Sequence, residues 1–382
     1  MTGLAFAGDS MQGKIITAGH ICLDITPMFP DNLANRDIRD LFLPGKLIQM
    51  DGADVHTGGS VANTGLALKL IGNDVQLLGK IGRDAFGEMV KSILSEYGAG
   101  GLIEDENSST SYSVVLSVPG SDRIFLHDPA ANDSFCEADI PDEALENTAL
   151  FHFGYPPIMR RMYLNDGQEL EKLFRRVKSF GAATSLDMAA IDPNSEAAKA
   201  DWPGILKKVL PYVDFFVPSF EEICFMLDRK RYERLSGGGD MTENLNLSEE
   251  AGPLADELLE MGCRFVLIKC GTSGLLYKSA DKNSLSRIGD NLKLNLEDWA
   301  GKSGIQPCFM PETVRSATGA GDTSIAAFLT AVLRGRTPAE SVALAAAEGA
   351  CCVSSYDALG GLKPIDKLQE MINAGWKTYE KR

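Results

Sequence analysis

Short hydrophobic runs in the second half of the chain alternate with longer segments whose apolar residues lie three and four positions apart. The runs predict buried strands, and the longer segments predict amphipathic helices. Strands are predicted at residues 149–153, 183–187, 213–217 and 265–269, and helices at 165–180, 202–210, 220–228 and 251–261. Strands and helices that alternate in this way form βαβ units. We therefore expect an α/β fold, with a central, mostly parallel sheet flanked by helices.

The N-terminal part of the chain follows a similar pattern. Residues 14–23 (KIITAGHICL) predict a buried strand that ends in a Gly-containing turn, and residues 75–79 predict another strand. Helices are predicted at 61–72, where Gly72 is a typical C-terminal stop, and at 86–97.

Two segments interrupt the alternation, at residues 26–57 and 108–127. The second contains two strand-like runs, 111–118 and 123–127, which predict a hairpin around Pro119 and Gly120. Short strands from separate segments can pair into a small sheet over one end of the main sheet. The whole chain, residues 1–382, is thus expected to be a single domain whose lid is formed by these two inserts.

Two polar stretches, residues 229–249 and 279–311, contain Gly and Asn and lack a clear apolar period. This composition is typical of exposed connections. We expect both stretches to be surface loops.

Charge and composition limit the partners. Lys and Arg number 37 against 53 Asp and Glu, so the formal net charge is −16. An acidic surface repels phosphate backbones and anionic lipids, and we expect neither nucleic acid nor membrane as a partner.

No run of about 18 apolar residues occurs, and the first 13 residues lack the features of a signal peptide. Eight cysteines without a C-x-x-C pair predict buried, reduced thiols, and we expect a cytoplasmic protein.

The segment with the clearest chemistry is residues 316–322 (SATGAGD), which directly precedes an apolar helix that ends near Gly335. Unpaired backbone amides at a helix N-terminus can hold an anion such as a phosphoryl group. Asp322 has two interpretations at this point. It either caps the helix, as Asp often does, or accepts a proton from an alcohol that attacks phosphorus.

Residues 319–322 (GAGD) resemble the second signature of the ribokinase-like (PfkB) carbohydrate kinase family. The first signature is present as residues 58–67 (GGSVANTGLA), and residues 79–87 (GKIGRDAFG) resemble the family segment G-x-V-G-x-D-x-F-G. The resemblance extends from about residue 19 to 361. It implies a ribokinase-like α/β fold with a small β-sheet lid, and an ATP-dependent sugar kinase.

The resemblance also implies catalytic roles. In this family, the Asp of G-A-G-D takes the proton of the hydroxyl that attacks the γ-phosphate, and the preceding amides stabilise the transferring group. Asp322 is then the general base, and the amides of Gly319, Ala320 and Gly321 form the anion hole. This implication favours the base over the helix cap.

Several residues match the positions that bind substrate in such kinases. The resemblance assigns this role to Asp24, at the end of the first predicted strand, to Gly58 and Gly59, and to Asn63. A carboxylate and an amide suit neighbouring hydroxyls, because they accept and donate hydrogen bonds. The alternatives are a turn-forming role for Asp24 before Pro27 and a helix-capping role for Asn63.

Weaker matches extend the substrate side. Arg123 lies in the hairpin expected to form the lid, and Asn132 belongs to a segment resembling the family's G-A-N. Asp187 ends a predicted strand, where ligands bind in open α/β sheets, and we prefer it to Asp192 as the family's D-x-N-x-R residue. Tyr155, which follows another strand, either stacks on a substrate ring or belongs to the core.

On the nucleotide side, residues 269–274 (KCGTSG) resemble the T-x-G-x-x-G segment that runs beside ATP. This implies nucleotide contacts for Lys269, Gly271 and Gly274, and also for Thr318 in the second signature. Lys269 stands where Thr is common, and a cation there could meet a phosphate directly.

The family's N-x-x-E segment organises Mg²⁺ and aligns with residues 219–222. Glu222 is therefore the expected metal residue, and Ser219, on the nucleotide side, replaces the family's Asn. The second signature begins with Ser316 where the family has Asp. This leaves a monovalent cation, K⁺, as a further expected cofactor whose site is altered.

The leading hypothesis is thus phosphorylation of a hydroxyl of a small sugar or sugar acid by Mg-ATP. A nucleoside kinase of the same fold and a sugar-binding sensor without catalysis are the alternatives. An exposed edge of the lid sheet would be covered if two lids paired, and we expect a homodimer through the lid.

Overall fold

The strands predicted from the sequence come together in one central sheet. The computed structural model describes residues 13–33, 38–118, 123–237, 239–355 and 357–379. Within these ranges the strands are β1 Lys14–Gly19, β2 Cys22–Pro27, β3 Ala53–Gly58, β4 Val75–Gly82, β5 Ile103–Asp105, β6 Tyr112–Leu116, β7 Ile124–Asp128, β8 Thr148–Gly154, β9 Ala183–Leu186, β10 Phe215–Phe216, β11 Phe265–Lys269, β12 Leu275–Ser279 and β13 Ser303–Gln306.

Nine strands form the central sheet in the order β13-β12-β11-β10-β9-β8-β1-β4-β5. The seven strands from β11 to β5 run parallel, and β12 is antiparallel to both β11 and β13. The expected α/β fold with a mostly parallel sheet is confirmed.

Helices cover both faces of this sheet. Among the described residues they are α1 Ile38–Leu41, α2 Ser60–Leu70, α3 Ala85–Glu96, α4 Asp142–Leu145, α5 Arg160–Ser179, α6 Trp202–Val209, α7 Phe220–Leu227, α8 Arg229–Ser236, α9 Leu247–Glu250, α10 Gly252–Glu260, α11 Lys282–Leu285, α12 Leu296–Trp299, α13 Ala320–Leu333, α14 Pro338–Cys352 and α15 Ile365–Asn373. Successive residues of β8 face opposite cores: Leu150 packs with α13 and α14, and Phe151 packs with α5 and α6. Burial on both faces explains why the parallel strands read as continuous hydrophobic runs.

The first predicted strand is two strands. The chain leaves the central sheet after Gly19 and enters a second sheet at Cys22. The glycine of the predicted turn is the last residue of β1, but the hydrophobic run continues beyond it because the second sheet buries Cys22 and Leu23 as well. The predicted strand over residues 14–23 was therefore wrong in its extent, since its last two residues begin β2.

The second sheet has four strands in the order β3-β2-β6-β7. Two antiparallel pairs, β2–β3 and β6–β7, are joined by parallel pairing of β2 with β6. The predicted hairpin is confirmed as β6 and β7, and its expected turn at Pro119 and Gly120 lies outside the described residues. The rest of the first insert contributes β3 and the short helix α1. We call this four-stranded sheet the lid.

The two stretches predicted as loops contain regular structure. Residues 229–249 include α8 and most of α9, and residues 279–311 include α11, α12 and β13. Helix α8 (RKRYERLS) has no buried residue, and only Tyr232 and Leu235 pack, partly buried, against the core, so its apolar face is too narrow for a sequence pattern to reveal. Helices α11 and α12 are single turns, capped by the side chains of Asp281 and Asn295. Within the described ranges, no helix combines the length and apolar character needed to cross a membrane.

Candidate active site

The predicted catalytic and nucleotide residues meet at the carboxyl ends of the central strands. Tyr155 follows β8, Asp187 follows β9, and Lys269 ends β11. The N-terminus of α13 lies against Lys269, because a Cβ added to Gly321 would be 3.6 Å from Lys269 Cε. Ligands bind at this edge of open α/β sheets.

The turn before α13 requires glycine. Gly319 is the N-cap residue with φ 75°, and a Cβ there would lie 2.3 Å from the Cβ of Ala358. The turn leads the first amides of the helix into the cleft, where they can hold an anion. Asp322 does not cap this helix: it lies in the first turn, three residues after Gly319. The helix-cap interpretation of Asp322 was therefore wrong.

The Asp322 carboxylate is buried and receives three hydrogen-bond donors. Asn63 Nδ2 donates to Oδ2 at 3.1 Å, and Thr64 Oγ1 donates to Oδ1 at 3.1 Å. Tyr155 Oη bridges the two carboxylate oxygens, at 2.8 Å from each. The alternative in which Asn63 caps α2 is also wrong, because the N-cap residue of that helix is Gly59.

A buried ion pair lies beside this carboxylate. Lys269 Nζ is 2.7 Å from Asp187 Oδ1. Burial alone would lower the pKa of Lys269, but the carboxylates of Asp187 and Glu222 outweigh burial and raise it. Burial raises the pKa of Asp187, and the negative charges of Glu222 and Asp322 add to that effect against the attraction of Lys269.

The expected metal residue Glu222 has a local structural partner as well. Ser219 and Glu222 form a capping box at the start of α7: Ser219 N donates to Glu222 Oε2 at 2.7 Å, and Glu222 N donates to Ser219 Oγ at 3.3 Å. In the described ranges, no three His, Cys, Asp or Glu side chains are arranged to hold a metal ion. Mg²⁺ bound together with a nucleotide needs only one or two protein carboxylates.

Asp24, Gly58 and Gly59, which are expected to bind substrate, lie in or next to the lid. Asp24 lies in β2, a lid strand, and not at the end of the first strand of the central sheet. Its carboxylate lies over the backbone of Gly58, where an added Cβ would be 2.1 Å from Asp24 Oδ2. Gly59 follows directly and starts α2 beside His20.

Asn132 is fully buried, and its amide is bonded to one backbone unit. Its Oδ1 accepts from Ile21 N at 3.1 Å, and its Nδ2 donates to Ile21 O at 2.8 Å. Ile21 is in the crossover between the central sheet and the lid. The side chain therefore fixes this crossover instead of facing the cleft.

Strand β7 of the lid contacts the central part of the molecule at two points. Arg123, just before the strand, donates from Nη1 to Thr318 Oγ1, in the turn that leads to α13. His127 Nε2 is 3.2 Å from Nε2 of His20, which follows β1. Because alternate residues share one face of a strand, Phe125 lies on this same face of β7 between the two contacts.

The remaining predicted residues lie close to Lys269 or at the surface of the protein. The turn Gly271–Ser273 starts two residues after Lys269 and lies against Thr242, and Gly274 lies against Gln306. Asp192, the alternative to Asp187, is hydrogen-bonded to Asn194 in an exposed turn.

Sequence reasoning missed Thr64 as a partner of Asp322, although it follows Asn63 in the first signature. It also missed the His20–His127 contact, and it left Tyr155 between two roles, neither of which includes a bond to Asp322. His20 and Tyr155 each come directly after a buried strand. A polar or aromatic residue at that position was the sequence signal that could have identified both as site residues.

Comparison with known proteins agrees with this geometry. The family model described as pfkB family carbohydrate kinase matches residues 32–364. Fructokinase-2 from Oryza sativa subsp. japonica is 23% identical over 385 residues, covering 97% of each chain. The structure of Arabidopsis thaliana ribokinase complexed with ribose and ATP superimposes with a TM-score of 0.68 at 17% identity, over 95% of this chain and 99% of that one. Fructokinase with bound ATP from Xylella fastidiosa gives a TM-score of 0.67 at 18% identity, again over 95% and 99%. The chain belongs to the pfkB family of carbohydrate kinases.

Proposed function

We propose that this kinase transfers the γ-phosphoryl group of ATP to a hydroxyl of a small sugar or sugar acid. The observation that carries the proposal is the position of Asp322: its carboxylate is buried beside the Gly319–Gly321 turn, at the carboxyl edge of the sheet. The substrates named for the similar fructokinases and ribokinase support a small sugar as acceptor.

In the proposed mechanism, Asp322 accepts the proton of the acceptor hydroxyl as its oxygen attacks the γ-phosphorus. The amides of Gly319, Ala320 and Gly321 stabilise the negative charge of the transferring group. Lys269, next to Gly321, adds a positive charge close to this group. Little covalent work is required of the protein, since positioning and charge stabilisation dominate phosphoryl transfer.

The acceptor is proposed to bind between the lid and the central sheet. Asp24 would accept hydrogen bonds from its hydroxyls, and the absence of side chains at Gly58 and Gly59 lets the ligand approach the backbone. Asn63 would lie next to the reacting hydroxyl, because Asn63 is hydrogen-bonded to Asp322. Arg123 would act from the lid side, and Asn132 would contribute by fixing the crossover.

The nucleotide is proposed to lie along Gly271, Gly274 and Thr318, with Lys269 and Asp187 at its phosphate end. Ser219 would face the nucleotide. Glu222 would hold the Mg²⁺ ion that arrives with ATP, and this ion would neutralise phosphate charge. Three carboxylates near one lysine suit a divalent cation: those of Asp187, Glu222 and Asp322 together raise the pKa of Lys269 despite its burial. Dependence on K⁺ remains a prediction, with Ser316 in place of the family's Asp.

We also propose that residues 1–382 act as one domain with a mobile lid, that two lids pair in a homodimer, and that the protein is cytoplasmic. Free thiols at all eight cysteines support a reducing compartment.

The test is ADP release with Mg-ATP and a panel of pentoses, hexoses, keto-sugars, sugar acids and nucleosides. Asp322→Asn should lower turnover of the best acceptor by at least about 100-fold, because the amide cannot take a proton. Acceptor binding, measured by calorimetry, should persist. Asp192→Asn, in an exposed turn, is the matched control and should keep wild-type turnover.

Wild-type turnover by Asp322→Asn would refute the role of Asp322 as base. A response restricted to nucleosides would make the chain a nucleoside kinase. Binding of an acceptor by the wild type without any ADP release would favour a sensor.

A further inference from the structure

The donors to Asp322 fall into two groups. Asn63 and Thr64 are neighbours on α2, a helix that packs against both the central sheet and α13. Tyr155 comes from the turn after β8, where its backbone is left-handed, with φ 70° and ψ 39°. The tyrosine thus reaches the carboxylate from the strand ends, where the ligand cleft lies.

A carboxylate offers about four lone-pair positions. Asn63 and Thr64 each use one oxygen, and Tyr155 bridges both at 2.8 Å. An acceptor hydroxyl that gives its proton to Asp322 must donate to one of these oxygens first. Two positions remain, one on each oxygen, and the single O–H of Tyr155 is shared between them.

The tyrosine hydroxyl has the chemistry of the group it would replace. Burial raises the pKa of Tyr155 well above its usual value, and the nearby carboxylates of Asp322 and Asp187 raise it further. The phenol therefore stays protonated and donates to Asp322, as an alcohol or a water molecule would.

We propose that Tyr155 is a positioning residue that occupies the place of the acceptor hydroxyl on Asp322, and thereby keeps water from that place until the substrate arrives. This inference rests on the proposed function of Asp322 as general base.

Without such a residue, water could react in place of the sugar. Its oxygen would bond to the γ-phosphorus, the bond to the β–γ bridging oxygen would break, and ADP would leave with that electron pair. The proton of the water would pass to Asp322. Tyr155 prevents this hydrolysis by holding the carboxylate oxygens, and a sugar displaces it with the binding energy of its other hydroxyls.

The ring of Tyr155 is also connected to the lid. Its centroid is 6.1 Å from that of His20, whose own ring contacts His127 of β7 at a centroid distance of 5.0 Å. Tyr155, His20 and His127 thus form a row of rings that runs from the candidate site to the lid.

The experiment measures ATP hydrolysis without acceptor for the full-length protein. Tyr155→Phe should raise hydrolysis by about tenfold, the factor that corresponds to loss of one hydrogen bond to a charged group. The double variant Tyr155→Phe/Asp322→Asn should lose this hydrolysis. Tyr163→Phe, which changes a tyrosine on α5 outside the site, should match the wild type, and Thr64→Val should lower both hydrolysis and sugar phosphorylation.

A second readout is the pH profile of turnover. Tyr155→Phe removes a donor to the Asp322 carboxylate, so the acid limb of its profile should move to higher pH than in the wild type. The other titratable groups near Asp322 belong to several elements and stay unchanged in this variant: Lys269 of β11, Asp187 after β9, Glu222 of α7 and Cys352 of α14.

The inference is overturned if folded Tyr155→Phe shows wild-type hydrolysis and a wild-type pH profile while Asp322→Asn is inactive. If Asp322→Asn itself keeps full turnover, the proposed function fails instead. Should Tyr155→Phe not fold, Tyr155→Leu gives the same comparison, and unchanged hydrolysis in that variant also counts against the inference.

Discussion

Lys269 and Asp187 form a 2.7 Å ion pair at the candidate site. Asp187 is almost inaccessible, Lys269 is mostly buried, and two more carboxylates, those of Glu222 and Asp322, influence the pair. Breaking a buried pair by removing one partner leaves an uncompensated charge, which typically costs about 3–5 kcal/mol. Lys269 and Asp187, which are proposed to lie at the phosphate end of the nucleotide, therefore also contribute to the stability of the fold.

Lys269→Met should strengthen a pH dependence of stability that Asp187 already gives the wild type. Burial raises the pKa of folded Asp187 to about 8 even with the lysine present. Without the lysine that opposes this rise, folded Asp187 keeps its proton to still higher pH, whereas the unfolded chain loses it above about pH 4. The folded state then binds more protons, so the free energy of unfolding should fall as pH rises from about 5 to about 8. Urea unfolding should show a loss of about 3 kcal/mol at pH 8 relative to wild type.

The double variant Lys269→Met/Asp187→Asn lacks the buried carboxyl and is the matched control. It should not show the extra pH dependence. Equal slopes for the single and double variants would contradict this account of Asp187.

At the scale of elements, the crossover from β1 to β2 connects the central sheet with the lid. The amide of Asn132 holds the backbone of Ile21 on one side of this crossover, and the His20–His127 contact joins it to β7. With Nε2 atoms 3.2 Å apart, one ring must donate and the other accept, so the two imidazoles cannot both be protonated. His127 is also bonded through Nδ1 to Ser113 of β6, at 3.0 Å.

The histidine contact should weaken in acid. Burial, and then the charge of His127, lowers the pKa of His20, and burial lowers the pKa of His127 against the charges of Asp24 and Asp128. Below about pH 6.5 the unfolded chain therefore binds more protons than the folded one, and stability falls as pH falls.

His127→Gln removes one of these groups. Between pH 7.5 and pH 5, the wild type should lose about 1 kcal/mol more stability than this variant, as measured by urea unfolding. His56→Gln changes a histidine of β3 outside this contact and serves as the matched control. If His127→Gln and the wild type lose stability equally, the pair does not titrate as described.

At the scale of the whole molecule, the outer face of the lid is apolar. Ile124 and Leu126 of β7 are 40% and 54% exposed, and they point away from the face that carries Phe125. Among the described strands, β7 is at the edge of its sheet, so one side of its backbone has no partner strand there. An edge of this kind favours pairing with another strand.

We predict a homodimer through this face. Light scattering at micromolar concentration should give twice the mass of one chain for the wild type and a single mass for Leu126→Lys. Leu70→Lys, at the exposed C-terminal end of α2, should remain dimeric. A monomeric wild type would refute the prediction.

Local patterns along the chain predicted most of the architecture. The alternation of strands and helices, the hairpin of β6 and β7, and the glycine turn before α13 all depend on residues near one another in sequence. Helix α8 escaped prediction because it buries no residue, and the crossover at Ile21 escaped because both sheets bury the same hydrophobic run.

The sequence by itself determined the fold class, the turn before α13 and the acidic residue that follows it, because backbone geometry and hydrophobic period are local properties. Tertiary structure alone decided which side chains meet. Tyr155 contacts Asp322, Lys269 contacts Asp187, and His20 contacts His127 across large separations in the chain. Such pairs depend on strand order and on the packing of helices against the sheet, and the periodicity of a single segment carries no information about its distant partner.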